Sequence, residues 1–597
     1  MDRTNNSIKQ KWNVIRLIIN RNKVQQSNCI IPNNILGKHY ATVAETLAEK
    51  LPKISQDDIA STSKIKHYPK TSKQQFTFNK ITDREVYELL LKLDSNKGPG
   101  IDNFDIKSLK SIANIISEHL ASLFNQSITT GIYPQNLKIA KCVPVYKGAP
   151  LDPSDPVSYR PISILTSINK IFEHILHNQL SKYLEEYKLL PPFQYGYRRG
   201  HNTSQAIADY TEHITKQISK KLCTIAVFMD LSKAFDTVDK TILKQKLYDL
   251  GMADISSSLI NSYMSNRKLC MNNDKDYYKL TYGVPQGSIL GPLLFIMYTF
   301  DMTRITEENK IIVYADDTTV LVSGKSLTET KQHCNDILNR FYQYFTLNKL
   351  SINPSKTKFM IYKPTHYKHK NKKWLHDTTH TDIVMNDIPL KQVKTIKFLG
   401  LMINDRLTWD DHRQLVYSKI CKTLGLLYRC KTIMNENECI NMYKTFIQPY
   451  FIYSIEVWGH SVQSDDILMK LQSKILRIIF NCKRSEDAWR HCNGKINSVK
   501  DLYCTTIKKM CMKHHYGSLP YNFSINVMPN LNVSQLQNKI SKISLEQMYD
   551  YKYEPKLSNS HIKISCIKYW NSLPFNIKCL PYISSKETEH KNLKKIN

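Results

Sequence analysis

Residues 310–324 read Lys-Ile-Ile-Val-Tyr-Ala-Asp-Asp-Thr-Thr-Val-Leu-Val-Ser-Gly, two short β-prone runs with the adjacent carboxylates Asp316 and Asp317 between them and no basic residue beside the pair. This pattern predicts a hairpin with acid at its tip. Two ionised aspartates at ~4 Å repel by about 4 kcal/mol at an effective dielectric of 20. A solvated polar turn is the ordinary fate of Asp-Asp in a hairpin loop. A bound cation is the alternative that relieves the repulsion.

A second acidic strand lies upstream. Cys223–Asp239 reads Cys-Thr-Ile-Ala-Val-Phe-Met-Asp-Leu-Ser-Lys-Ala-Phe-Asp-Thr-Val-Asp, an apolar run that ends at Asp230. Carboxylates at the ends of apolar strands suit two hard divalent cations, with oxygen ligands and coordination positions left for substrate phosphates. Between the two strands, Tyr282–Leu294 (Tyr-Gly-Val-Pro-Gln-Gly-Ser-Ile-Leu-Gly-Pro-Leu-Leu) forms a Gly/Pro-punctuated loop that runs into an apolar, helix-like segment, 289–298.

The order of acidic strand, Pro-Gln-Gly loop and Tyr-Ala-Asp-Asp hairpin resembles the palm of a reverse transcriptase. Ser158–Leu176 (with Tyr-Arg-Pro-Ile-Ser and Lys-Ile-Phe-Glu), Gln194–Ala206 (Gln-Tyr-Gly-Tyr-Arg-Arg-Gly-His-Asn-Thr-Ser-Gln-Ala) and Ile396–Trp409 (Ile-Lys-Phe-Leu-Gly-Leu-Met-Ile-Asn-Asp-Arg-Leu-Thr-Trp) are similar, in the same order, to the polymerase of non-LTR (LINE-type, jockey-like) retrotransposons. The resemblance implies an α+β, right-hand polymerase. Its fingers and palm, an antiparallel sheet with helices, would span 76–405. A helical thumb-like region would span 406–515, between an N-terminal extension or linker at 1–75 and a C-terminal element tail at 516–597.

The same resemblance implies an RNA-directed DNA polymerase that extends a DNA primer on an RNA template from dNTPs. Asp230, Asp316 and Asp317 would hold two Mg²⁺ ions, or Mn²⁺, about 4 Å apart for in-line phosphoryl transfer. Lys356 would protonate pyrophosphate, with Lys358 as the alternative. Phe235, five residues after Asp230, would exclude a 2′ hydroxyl; a core phenylalanine is the alternative. Lys147 and Arg160 would bind the triphosphate, against surface salt bridges as their ordinary role. Gln286 and Gly287 would line the nascent base pair, and Phe398, Leu399 and Gly400 would form the primer grip. Trp409, Trp458 and Trp570 offer stacking surfaces for bases but are assigned to packing.

Composition agrees. The 597 residues carry 84 Lys plus Arg against 52 Asp plus Glu, a net charge of +32, which suits a polyanionic partner and salt-sensitive binding. The 14 cysteines show no repeated Cys-x-x-Cys spacing and the first ten residues are polar, so neither a disulfide framework nor a secretory signal is expected. No apolar run of about 18 residues predicts a membrane span. The expected compartment is intracellular, nuclear with a cytoplasmic ribonucleoprotein stage. Lys368–Lys373 is either an import signal or a solvated loop. Cys482, Cys492, Cys504, Cys511, His514 and His515 gather in sequence, but their spacing fits no ordinary zinc finger.

Two segments depart from the family pattern. Asn103 stands where glycine usually follows Asp102, and Met297–Met302 lacks the usual Asn-Asp pair. No endonuclease constellation is read before residue 76 and no RNase H carboxylate cluster after 410, so the expectation is an endonuclease and a priming nick supplied by another protein or chain. The competing reading is a catalytically idle element remnant or a co-opted basic nucleic-acid-binding protein. A group II intron maturase fits the carboxy-terminal third less well.

Overall fold

The computed structural model describes residues 29–52, 75–364 and 382–515, apart from the single positions 149, 273, 275 and 484. The candidate import cluster 368–373, Trp570 and the tail 516–597 lie outside the described residues, as do the side chains of Cys511, His514 and His515.

The chain folds around a five-stranded sheet. Its central strand is β3 (Cys223–Met229), flanked by β8 (Asp317–Gly324) and β10 (Lys358–Tyr362), with β7 (Lys310–Tyr314) at one edge and β13 (Lys391–Gln392) at the other. β3 runs antiparallel to both neighbours, pairing Met229 with Thr318 on one side and Phe228 with Lys358 on the other. Period-2 alternation splits these strands between two cores. Ile225, Val227, Val320, Val322, Ile311 and Val313 face one core, built with helices Ser167–Glu186, Lys240–Asp249, Asp254–Met264, Gly291–Tyr298 and Leu327–Leu347. Ala226, Leu321, Ile312, Met360 and Tyr362 face the other, built with helix Thr203–Ser219 and the helices that follow Asp410. Helices thus contribute to the cores on both faces of the sheet.

A second sheet has the order β2 (Tyr159–Ile164), β1 (Ile139–Tyr146), β5 (Arg267–Met271) and β6 (Tyr277–Leu280). Helix Asn33–Glu49, inside the segment read as an extension or linker, packs on β5 and β6. Leu36 and Tyr40 are buried there with Cys142, Tyr159, Leu269 and Met271. Gly37 meets the Tyr278 ring so closely that a Cβ would lie 2.3 Å from it. Short pairs complete the strands: β4 (Leu231–Ser232) with β9 (Ser351–Ile352), β11 (Val384–Met385) with β12 (Ile388–Pro389), and β14 (Thr395–Phe398) with β15 (Leu401–Asn404).

From Asp410 to His515 the described regular structure is helical. The apolar spacing of 468–480 is realised in helix Ile467–Phe480, which buries Leu468, Leu471, Ile475, Leu476 and Ile479 on one face. Asp466 caps its amino end and Asn481, at φ +58, ends it. Trp409 and Trp458 are buried; the Trp458 Nε1–H donates to the Tyr453 carbonyl at 2.9 Å and its ring meets His412 edge-on. Both are core residues. Among the described residues no helix is long and apolar enough to cross a membrane.

Both departures from the family pattern have a local account. Asn103 sits at φ +55, a left-handed conformation that asparagine tolerates better than most residues. Asp301, in the Met297–Met302 segment, accepts hydrogen bonds from Lys246 at 2.8 Å and the Tyr344 hydroxyl at 2.6 Å. Lys246 is buried, so it needs that carboxylate. Lys246→Met alone leaves Asp301 uncompensated and is expected to destabilise the fold by about 3–5 kcal/mol. The pair Lys246→Met with Asp301→Leu should cost less than the single change in urea unfolding; an equal or greater cost would sink the ion-pair account.

Candidate active site

Strand β3 delivers Asp230 just past its last paired residue, where the chain turns into β4. The Asp230 N–H donates to Thr357 Oγ1 at 3.4 Å and its carbonyl accepts from the Asn353 N–H at 2.8 Å, so the segment before β10 braces the turn. Across the β3–β8 ladder, β7 and β8 close as a hairpin in which Tyr314 pairs with Asp317 and Ala315-Asp316 form the loop. Ala315 adopts φ +60, a left-handed conformation costing roughly 1–2 kcal/mol for a residue with a Cβ. A tertiary clamp holds it there. Gln194 Oε1 accepts from the N–H of Gly196 at 2.9 Å and of Ala315 at 3.3 Å, while the Tyr195 N–H donates to the Val313 carbonyl at 2.8 Å and the Val313 N–H to the Phe193 carbonyl at 2.9 Å. A Cβ on Gly196 would lie 2.5 Å from the Ala315 nitrogen.

The carboxylates feel one another. Burial, then the charge of Asp230, raises the Asp316 pKa, with Arg160 acting the other way. Asp317 is accessible at the mouth of the site, yet desolvation, then Asp316, then Asp230, push it up to about 6. An acceptor-only oxygen set that resists ionisation in this way fits a hard divalent cation. Lys356 approaches Asp230 at 3.9 Å with 69% of its side chain exposed, whereas Lys358 lies in β10 opposite Phe228. Of the two, Lys356 is thus the one at the carboxylates.

Cations line the near side of the second sheet. Lys147 donates from Nζ to the Val157 carbonyl at 2.5 Å, and its pKa is lowered by burial and by the neighbouring Arg160 and Lys356. Arg160 is exposed on β2, in register with Val145 of β1. Lys233, in the turn after Asp230, contacts His39 Nε2 at 3.1 Å. Burial and Lys233 lower the His39 pKa to about 4, so a neutral imidazole accepts from the ammonium. No sequence signal pointed to this contact between helix Asn33–Glu49 and the turn after Asp230.

Phe235 is partly buried, stacked on Phe295 at 4.7 Å and edge-on to Tyr197 at 6.3 Å. The Pro-Gln-Gly loop lies against the same turn: Val284 N–H donates to the Phe235 carbonyl at 2.8 Å, and Ser163 N–H donates to the Gln286 carbonyl at 2.8 Å. Gly287 adopts φ +111, and a Cβ there would stand 2.8 Å from the Ser163 carbonyl oxygen. Glu173, fully buried, holds the loop from behind. Its carboxylate accepts from Ile289 N–H at 2.7 Å, Asn169 Nδ2 at 2.8 Å and the Tyr263 hydroxyl at 2.8 Å. A charged residue inside an apolar helical stripe, Lys-Ile-Phe-Glu-His-Ile-Leu, is the signal that marks Glu173 in the sequence.

Phe398 ends β14, and Leu399 and Gly400, at φ +44 and +93, turn the chain into β15. Phe398 packs on Tyr210 at 4.9 Å and on Phe228 at 5.6 Å, two residues before Asp230. Tyr453, from the helical region, donates its hydroxyl to the Leu399 carbonyl. The six Cys and His residues grouped in sequence are not gathered as far as they are described. Cys492 is buried and bonded to Ile496, and Cys504 is exposed on helix Val499–His515. Cys482 instead neighbours Glu486 and the exposed His491.

Matches to known proteins are consistent with this geometry. Residues 148–403 match the reverse transcriptase (RNA-dependent DNA polymerase) family. That segment is a reverse transcriptase domain. It contains the carboxylates, the Pro-Gln-Gly loop and the β14–β15 turn. Over 413 residues the chain is 29% identical to the probable RNA-directed DNA polymerase from transposon BS of Drosophila melanogaster, covering 67% of this chain and 44% of that protein. Over 415 residues it is 28% identical to the RNA-directed DNA polymerase from mobile element jockey of the same organism, again 67% and 44%. It is 27% identical over 444 residues to the probable RNA-directed DNA polymerase from transposon X-element, also of Drosophila melanogaster, covering 72% of this chain and 46% of that protein. The chain thus spans less than half the length of these curated relatives. The jockey-like resemblance read from Ser158–Leu176, Gln194–Ala206 and Ile396–Trp409 is borne out.

Two measurements follow from the hairpin. A carboxyl whose pKa is higher folded than unfolded takes up a proton on folding, so metal-free protein is expected to lose stability as pH rises through about 6, the value of Asp317. Mg²⁺ should then raise the melting temperature more at pH 7.5 than at pH 5, and Asp317→Asn should flatten that difference; a Mg²⁺ effect indifferent to pH would contradict it. Gly196→Ala should shift the Ala315-Asp316 turn and lower primer extension on the order of tenfold or more while the melting temperature changes little. Parental activity in that variant would show the close approach to be dispensable.

Proposed function

We propose that this chain is an RNA-directed DNA polymerase of a non-LTR retrotransposon, extending a DNA primer on an RNA template by two-metal phosphoryl transfer. The observation that carries the reading is the convergence of Asp230, Asp316 and Asp317 at adjoining strand ends, where burial and the charge of Asp230 raise the pKa of the other two, inside a segment matching the reverse transcriptase family. Asp230, Asp316 and Asp317 would hold the divalent ions, which, when bound, lower the pKa of the primer 3′ hydroxyl and stabilise the leaving pyrophosphate.

The chain's own groups do the rest. Arg160 and Lys147 bind triphosphate oxygens and Lys233 adds a third cation at the same turn. Lys356 gives a proton to the departing pyrophosphate. Phe235, stiffened by Phe295 behind it, blocks a 2′ hydroxyl by shape. Gln286 and Gly287 line the nascent pair. Phe398, Leu399 and Gly400 hold the primer end, whose placement against the carboxylates lowers the barrier by removing orientational freedom. The helical residues 406–515 serve as thumb. The net charge of +32 draws template and primer. A nuclear location and an endonuclease supplying the nick complete the reading.

Primer extension on poly(rA)/oligo(dT) with Mg²⁺ tests it directly. The parent should extend and Asp316→Asn with Asp317→Asn together should fall on the order of a thousandfold or more. No extension by the parent, with salt-sensitive RNA binding kept by both proteins, would replace this reading with that of an idle remnant or binding protein.

A further inference from the structure

Asp236 follows Phe235 in the turn after the catalytic strand, and no step described so far uses it. It keeps a little accessible surface, yet protein surrounds it so closely that desolvation dominates, pushing its pKa up to about 6 against the opposing pull of Gln286, Lys233 and Lys147. A carboxylate this deep is costly unless its hydrogen bonds repay it. Its recorded partner is Gln286: the carboxamide Nε2 donates to Asp236 Oδ1 at 2.8 Å. The two segments are locked together by backbone as well. Gly283 N–H donates to the Val238 carbonyl at 2.9 Å and Val284 N–H to the Phe235 carbonyl at 2.8 Å. At Gly283, φ +85, a Cβ would lie 2.6 Å from the Asp236 carbonyl oxygen. Beside them is a cavity of about 40 Å³ lined by Tyr40, Arg267, Asp236 and Gln286, with room for water but for no larger ligand.

The chemistry of the pair is asymmetric. An ionised carboxylate only accepts, whereas a carboxamide offers an acceptor at one end and two donors at the other. Facing Asp236, Gln286 has one favourable orientation, with its NH₂ committed to the carboxylate and its Oε1 turned away. A neutral amide at position 236 would pair equally well with either end of Gln286. Shape and packing would survive that change, but the orientation would not. We propose that Asp236 is a positioning residue that dictates which end of the Gln286 carboxamide is presented to the nascent base pair, and thereby contributes to nucleotide selection. This rests on the polymerase reading above and on Gln286 lining the base-pair pocket.

The test is single-nucleotide insertion by the full chain, comparing Asp236→Asn, Gln286→Ala and the double variant, with KM and kcat measured for the correct and a mismatched dNTP. Asp236→Asn should melt at the parent's temperature, raise KM for the correct dNTP about three- to tenfold with a smaller change in kcat, and lower the correct-to-mismatched ratio by a similar factor, as expected for one mispresented hydrogen bond. Gln286→Ala should do the same, and the double variant should be no worse than Gln286→Ala alone, since the carboxylate acts only through that amide. Asp236→Leu, which removes the acceptor altogether, should reproduce the kinetics of Gln286→Ala if it folds. Parental discrimination in Asp236→Asn, or effects of the two single changes that multiply in the double, overturns the inference while leaving the polymerase intact. A parent that inserts no nucleotide overturns the polymerase reading and the selection role with it.

Discussion

Three carboxylates at the end of an apolar sheet repel one another, and much of the surrounding architecture serves to keep them together. The cost is visible in Asp317, raised to about 6 by burial and its two neighbours. It is offset by neighbours that leave the acids little room to separate: β3 pairs with β8 from Cys223 to Met229 and with β10 from Thr224 to Phe228, Thr357 and Asn353 fasten the backbone of Asp230, and Gln194 fastens the strained Ala315. Carboxylates held this close, and partly withdrawn from water, are under electrostatic stress.

The loop facing the acids is positioned by the same economy. Glu173 and Asp236 are both carboxylates withdrawn from water, and both point at the Pro-Gln-Gly segment, one taking the N–H of Ile289 behind it and the other the amide of Gln286 beside it. Glycines at 283 and 287 let the loop backbone approach Asp236 and Ser163 within distances that a Cβ would forbid. Acceptors fix orientation, and missing side chains allow proximity. Neither device alone would set the loop.

The sheet's two faces tie distant parts of the chain to this centre. One face packs on helices from the reverse transcriptase segment itself. The other shares a core with the helices after Asp410, so that Tyr453 reaches the turn at Leu399 and Phe398 lies on Phe228. At the opposite side, the amino-terminal helix brings His39 to Lys233. Both flanking regions thus touch the elements that surround Asp230.

Local pattern alone determined a good deal. Alternation in 310–324 and in the run ending at Asp230 specified strands with acid at their ends, the 3.6-residue spacing of 468–480 specified a helix, and Gly and Pro specified the loop between the acidic strands, because each is a property of consecutive residues. Polar side chains whose partners lie far off in sequence were not legible: Gln194 with Ala315, Glu173 with Ile289, His39 with Lys233, Asp236 with Gln286. For these, the identity of the residue says only that a hydrogen bond or charge must be satisfied. The choice between Lys356 and Lys358 beside Asp230, the packing of Trp409 and Trp458, and the need for a left-handed residue at Asn103 were likewise settled only when the strands came into register, because burial and backbone angle at those positions are set by segments tens to hundreds of residues away.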